Sequence, residues 1–182
     1  MYKKTEDIII VGAGLTGLAF CNLLKDTKIN LSLLDIQPKK IYKSFESERY
    51  IVLSNSSKSI LESIGIWKEI NKYCSNVKNI HISKKSIFGS SVVKSVDENL
   101  ESLGYQVPVK ILMDILYSNI ENEKNINIVH GAQVMSVEKG KEINVNYKIE
   151  SIEKNLTSRS LVFSSGSNDK LLNNLFQKLY RK

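Results

Sequence analysis

Three glycines, Gly12, Gly14 and Gly17, separate the apolar run Ile8–Val11 from a segment with helical spacing. Glycines at this spacing suit the binding of a pyrophosphate. Gly12 permits a tight turn out of a strand. Gly14 lets a phosphate approach the backbone, and Gly17 lets a helix pack close against the strand. Leu15 and Thr16 open that helix, whose N-terminus offers free N–H groups and a partial positive charge. Asp35 lies eighteen residues beyond Gly17, at the end of the next apolar run. An acid there hydrogen-bonds the ribose hydroxyls of an adenosine and disfavours a 2′-phosphate. The pattern names a dinucleotide site and leaves FAD and NAD both open.

The elements that must carry these residues can be read from periodicity. Ile8–Val11 is a continuous apolar run, as expected for a strand buried on both faces. Residues 16–25 place Leu18, Cys21 and Leu24 at helical spacing, and Ile29–Asp35 reads as the next strand. The first 35 residues therefore predict one βαβ unit. Residues 38–49 read as a polar loop, Leu53–Ile64 as a helix stopped by Gly65, and Ile66–Tyr73 as a further short helix. Val77–Ser83 alternates as a half-buried strand, and Ile87–Val96 reads as another, the pair forming an excursion from the first sheet. Pro108 is placed in the first turn of a helix through Leu116. Asn125–Val129 reads as a strand, Val134–Val137 with Ile143–Ile149 as a β-meander, Leu161–Phe163 as a last short strand, and Lys170–Lys182 as a basic tail helix.

Composition narrows the function. The chain has 182 residues, 42% of them hydrophobic, enough for one domain with a core. Its 26 basic and 19 acidic residues give a net charge of +7. The positive charge is nearly all lysine and scattered, and no zinc-finger spacing or RNP-like motif accompanies it, so no nucleic-acid partner is expected. Cys21 and Cys74 form no CxxC or Cys/His cluster, so neither a disulfide framework nor a metal site is expected. Glu6 and Asp7 precede the first apolar run and three glycines follow it, which argues against a signal peptide. No run reaches the roughly 18 apolar residues of a membrane span. These features predict a cytoplasmic chain.

Beyond the glycines, three stretches follow in order: "FESERYIVLSNSSKSILESIGIW", "VKNIHISKKSIFG" and "LGYQVPVKILMDIL". In this order and spacing the chain resembles the ubiquinone-biosynthesis hydroxylases of the 2-polyprenyl-6-methoxyphenol hydroxylase type, which are flavin aromatic monooxygenases with a p-hydroxybenzoate-hydroxylase-like fold. The resemblance implies an α/β fold: a Rossmann-like FAD-binding domain with a βαβ start, a β-meander and an incomplete substrate domain at residues 77–105. It implies FAD on the glycine turn and a reduced nicotinamide, NAD(P)H, as transient reductant. Arg49 matches the family arginine near the flavin and pyrophosphate, a role suited to the fixed donors of a guanidinium. Gln106 or Tyr105 falls near the FAD phosphates, and Lys110 replaces a neighbouring arginine. Val134 falls where the family backbone meets the adenine. The implied reaction is hydroxylation of a polyprenylated phenol with O2. Such a substrate is membrane-soluble, which implies work at the inner-membrane surface beside sister enzymes of the ubiquinone pathway. The flavin carries the chemistry, so no catalytic side chain is implied, and His81 and His130 are read as structural.

The chain also departs from the family. Where the family has "ADGxxS", this sequence has "SSGSNDK": Ser164 and Ser165 replace the small residue and the aspartate, Gly166 stays, and Asp169 is out of register. The resemblance covers residues 5–165, only the N-terminal half of such an enzyme, so the whole chain is expected to form one FAD-binding domain without the family's C-terminal half. A non-catalytic FAD-binding remnant and an NAD-binding domain of other chemistry are the alternative readings.

Overall fold

The structure is a computed structural model that describes residues 5–39, 49–83 and 88–166. In chain order its elements are β1 (Thr5–Val11), α1 (Leu15–Leu24), β2 (Leu31–Asp35), β3 (Tyr50–Leu53), α2 (Asn55–Ser63), α3 (Trp67–Ile70) and a 3-10 turn (Asn71–Tyr73). Then come β4 (Ser75–Val77), β5 (Asn79–Ser83), β6 (Ser90–Lys94), β7 (Gly104–Pro108), α4 (Val109–Ser118), β8 (Ile126–His130), β9 (Ala132–Lys139), β10 (Ile143–Ile149) and β11 (Ile152–Phe163). The described residues divide into two compact units, one within Met1–Phe45 and Leu116–Lys182, the other within Glu46–Ile115.

The first unit is built on a six-stranded sheet of order β8-β2-β1-β11-β10-β9. Strands β8, β2, β1 and β11 run parallel to one another, and β9, β10 and β11 form an antiparallel meander. Every residue of β2 is buried, the polar Ser32 and Asp35 included, as befits a central parallel strand. The twelve-residue β11 serves both halves of the sheet: Ile152–Ser158 pairs with β10, and Thr157–Phe163 pairs with β1. Ile9, Val11 and Leu34 of the parallel half form one buried cluster with Ala132, Val145 and Tyr147 of the meander. Burying a side chain of this size contributes about 1.5–3 kcal/mol, so this cluster is what holds the meander on the parallel strands.

The second unit holds the antiparallel sheet β3-β7-β4 and the hairpin β5-β6. Ser54 caps α2, its hydroxyl accepting from the Ser57 N–H at 3.1 Å. Trp67 meets Tyr105 edge to face at 5.0 Å, and the Lys58 ammonium lies over both rings.

Several sequence expectations are corrected. Leu53 ends β3 and lies outside the helix, because Ser54 caps the helix one residue later. Pro108 ends β7 opposite Tyr50, and α4 starts after it. The stretch 77–83 is two strands in different sheets, divided at Lys78: β4 pairs with β7 and β5 with β6. All five residues of β5 are exposed, where half-burial was expected. Leu161–Phe163 is the end of β11, with no break from the meander. The expected tail helix Lys170–Lys182 and the displaced Asp169 lie outside the described residues. Among the described residues no helix is long and apolar enough to cross a membrane.

Candidate functional site

The glycine turn sits where β1 ends between two parallel neighbours, β2 reached through α1 and β11 reached from the chain's far end. In open α/β sheets the crevice at such a switch point, beyond the carboxyl ends of the strands, is where ligands bind. Gly12 leaves β1 with φ +101°, and its N–H donates to the Leu34 carbonyl at 2.8 Å. Val11 and Phe163 are in register, so the residues after them meet. A Cβ on Gly12 would lie 2.7 Å from the Ser165 N and Cα and 2.8 Å from the Ser164 carbonyl carbon. A Cβ on Gly17 would lie 2.1 Å from the Gly12 carbonyl oxygen. The protein's own packing therefore requires glycine at both positions.

Gly14 is different. Its φ of −73° and ψ of −177° are open to any residue, and a Cβ there would meet only the Ser164 carbonyl oxygen, at 3.9 Å. Among the described residues, packing gives no reason for glycine at this position, and nothing else approaches it within 4 Å. Gly14 is also the N-cap of the ten-residue α1, with no side-chain cap and no acidic residue in the first turn. Leu15 and Thr16 are the first two helical residues, and Thr16 is exposed. The helix start thus presents backbone donors, positive dipole and free space together, which fits a phosphate-bearing group.

Asp35 closes the site's other side at the end of β2. It is 7% exposed. Its Oδ2 accepts from the Ala13 N–H inside the glycine turn, and its Oδ1 accepts from the Gln37 N–H at 2.6 Å. The carboxylate expected to meet a ribose therefore also clamps the turn to the chain leaving β2. Each oxygen retains a second lone pair, so the clamp leaves capacity for a ribose hydroxyl.

Next to Asp35 in register stands His130 on β8. Its Nε2 lies 3.0 Å from the Tyr117 hydroxyl. The following N–H, of Gly131, donates to the Gln37 carbonyl at 3.1 Å. Burial pushes the imidazole below its ordinary value of 6.5, and Lys39 pushes the same way, while Asp35 and the Gln37 backbone oppose them. Burial likewise raises the Tyr117 hydroxyl, with Glu121 adding to it.

Gly12, Gly14, Leu15, Thr16, Gly17 and Asp35 are thus brought together at the carboxyl ends of β1 and β2. Val134 is in the same unit, on the edge strand β9, with its side chain packed on the Ile9–Tyr147 cluster. Arg49 and Gln106 belong to the other unit. Arg49 is exposed, and its carbonyl accepts from the Val109 N–H at 2.8 Å. Gln106 is exposed on the central strand β7, whereas its neighbour Tyr105 is 3% exposed and committed to the Trp67 and Lys58 contacts.

One contact was not legible in the sequence. The Ser164 hydroxyl donates toward the carbonyls of Gly12, at 2.7 Å, and Val11, at 3.1 Å. Its backbone N–H also donates to the Val11 carbonyl at 2.8 Å. The stretch that departs from "ADGxxS" is therefore fastened onto the glycine turn itself.

Comparison with known proteins gives a consistent picture. A family model described as "FAD binding domain" matches residues 5–162. An uncharacterized protein of Synechocystis sp. is 23% identical over 162 residues, spanning 88% of this chain and 39% of its own length. Among solved structures, p-nitrophenol 4-monooxygenase from Pseudomonas putida superposes with a TM-score of 0.78 at 11% identity, covering 95% of this chain and 44% of its own. Aklavinone-11 hydroxylase, solved with FAD and aklavinone, superposes with a TM-score of 0.73 at 16% identity, covering 97% of this chain and 36% of its own. The chain thus spans well under half the length of each of these proteins.

Proposed function

The chain belongs to the FAD binding domain family, and from that premise we propose that it forms the FAD-binding part of a flavin-dependent monooxygenase that hydroxylates an aromatic ring. The observation that carries this reading is the open cradle at Gly14. Among the described residues nothing crowds this glycine closer than an ordinary 3.9 Å contact with the Ser164 carbonyl, and it stands at a helix start with no side-chain cap. The cofactor is FAD, and its fold relatives include aromatic hydroxylases.

In this reading the N–H groups of Leu15 and Thr16 hold the pyrophosphate, and Asp35 receives the adenosine ribose on its remaining lone pairs. The Val134 backbone borders the adenine. Arg49 and Gln106, both exposed, serve the phosphate and flavin side. When bound, the flavin supplies the oxygen-transfer chemistry with O2 and NAD(P)H, and the chain supplies binding and orientation. The chain as a whole acts as one FAD-binding domain in which residues 77–105 form part of a substrate domain.

The finer assignment rests on the resemblance of the segments after the glycine turn. It makes the substrate a polyprenylated phenol of ubiquinone biosynthesis, met at the membrane surface among sister enzymes. One observation favours a second reading, an FAD-binding chain without catalysis: Ser165 stands where the family's aspartate would be.

Titrating the purified chain with FAD and, separately, NAD tests the proposal through flavin fluorescence and melting temperature. A ligand that binds only the folded state raises that temperature. Stabilisation by FAD and none by NAD is expected. A folded chain that ignores FAD, or prefers NAD, would overturn the reading.

A further inference from the structure

We infer that His130, held by Tyr117, is a positioning residue of the nucleotide site: it braces the turn after β2 that presents Asp35, and its protonation loosens that turn and weakens FAD binding. The inference rests on the cofactor reading above. It begins from a chain of contacts in one unit. The Tyr117 hydroxyl meets His130 Nε2 at 3.0 Å, and the rings lie 5.7 Å apart at 46°. His130 is paired with Asp35 across β2 and β8. Gly131 takes its φ of +69° and donates to the Gln37 carbonyl, while the Gln37 N–H donates to Asp35. Asp35 in turn holds the Ala13 N–H of the glycine turn. Tyr117, His130, Gln37, Asp35 and Ala13 therefore form one continuous path from α4 to the phosphate cradle.

The charged groups around the imidazole decide the response. Asp35 faces it from β2, Lys39 from the segment after β2, and Tyr117 from α4. Glu121 lies 3.8 Å from Lys39 and acts on Tyr117. Burial is the largest influence and opposes a charge on His130, and Lys39 adds to it; Asp35 and the Gln37 backbone favour the charge but are outweighed. A proton on the ring is thus poorly hydrated where it stands. The cost is relieved when the Gln37 turn opens to water, and that opening breaks the Gln37–Asp35 and Gln37–Gly131 bonds together. The neutral imidazole is the form that keeps Asp35 aimed at the site.

The test compares the chain with His130→Gln, whose amide can still hydrogen-bond but does not titrate, and with Tyr117→Phe. FAD dissociation constants are measured between pH 5.5 and 8 on the order of half-unit steps. Wild-type FAD affinity is expected to fall several-fold toward the acid end, as His130 takes up its proton. His130→Gln is expected to flatten that slope, and since Asp35 is present in both proteins the difference isolates His130. Amide exchange at Ala13 and Gln37, corrected for intrinsic rates, is followed in FAD-free protein. It should quicken in Tyr117→Phe, and in wild type at low pH. Equal pH slopes in wild type and His130→Gln, or unchanged exchange in Tyr117→Phe, would overturn the inference. No FAD binding at any pH, with the exchange response intact, would instead sink the cofactor reading and the nucleotide role of His130 with it.

Discussion

Gly17 sits so close to Gly12 that a methyl group on the helix residue would come within 2.1 Å of the turn's carbonyl oxygen and 2.7 Å of the Ser164 hydroxyl. Helix propensity alone favours Gly17→Ala by about 1 kcal/mol. The clash is with backbone, which cannot swing aside, and overpacking of this kind costs roughly 3 kcal/mol. The clash wins. Urea denaturation of Gly17→Ala should show a lowered midpoint, and a midpoint at or above wild type would contradict the packing described.

Gly14→Asp should separate stability from binding. The position accepts a side chain without strain, and aspartate is a favoured N-cap that adds a few tenths of a kcal/mol over glycine. The same carboxylate fills the cradle and repels a pyrophosphate. The variant should melt at or slightly above the wild-type temperature while losing at least about a hundredfold in FAD affinity, a penalty of roughly 3 kcal/mol for an unpaired charge at the site. Retained affinity would show that phosphate does not approach at Gly14.

Ser164→Ala removes the hydroxyl that ties the end of β11 to the Gly12 carbonyl. One hydrogen bond of this type contributes about 1 kcal/mol. The variant should be destabilised by that amount, because the Ser164 N–H still holds the Val11 carbonyl. A loss several times larger would mean that the hydroxyl orders the whole turn.

Stability should also depend on pH through His130. Its folded value lies below 6.5, so the unfolded chain binds the proton more readily. Protonation therefore favours unfolding. The His130 contribution is absent above about pH 6.5, and stability falls as pH drops from there through the folded value. His130→Gln should remove that part of the slope in thermal melts taken from pH 5 to 8.

Where local pattern decided structure, the sequence was readable. The run Ile8–Val11, the three glycines and the apolar stretch ending at Asp35 placed β1, α1, β2 and the cradle in their observed order. Readability failed where partners lie far apart in the chain. Nothing in "VKNIHIS" marks Lys78 as the point where one sheet ends and another begins, since alternation runs through it. Leu53 looked helical because it is apolar, but pairing with Tyr105 holds it in a strand. Asp35 was placed correctly at the strand end, yet its grip on Ala13 depends on a fold that brings residues 22 positions apart into contact. Ser164 lacked even a local signal, because its partner Gly12 lies 152 positions away.

The position of β11 has a consequence for biosynthesis. Residues 5–11 leave the ribosome long before their neighbour on one side of β1, Thr157–Phe163, is made. Until then β1 presents an apolar strand edge with unmatched amides, the kind of surface that seeks any available strand. Completion of this unit waits on closing a loop of about 150 residues, so it is slow. Translation stalled before Thr157 would leave a polypeptide with a finished glycine turn and an unzipped sheet, a substrate for holdase chaperones and proteases rather than a flavoprotein.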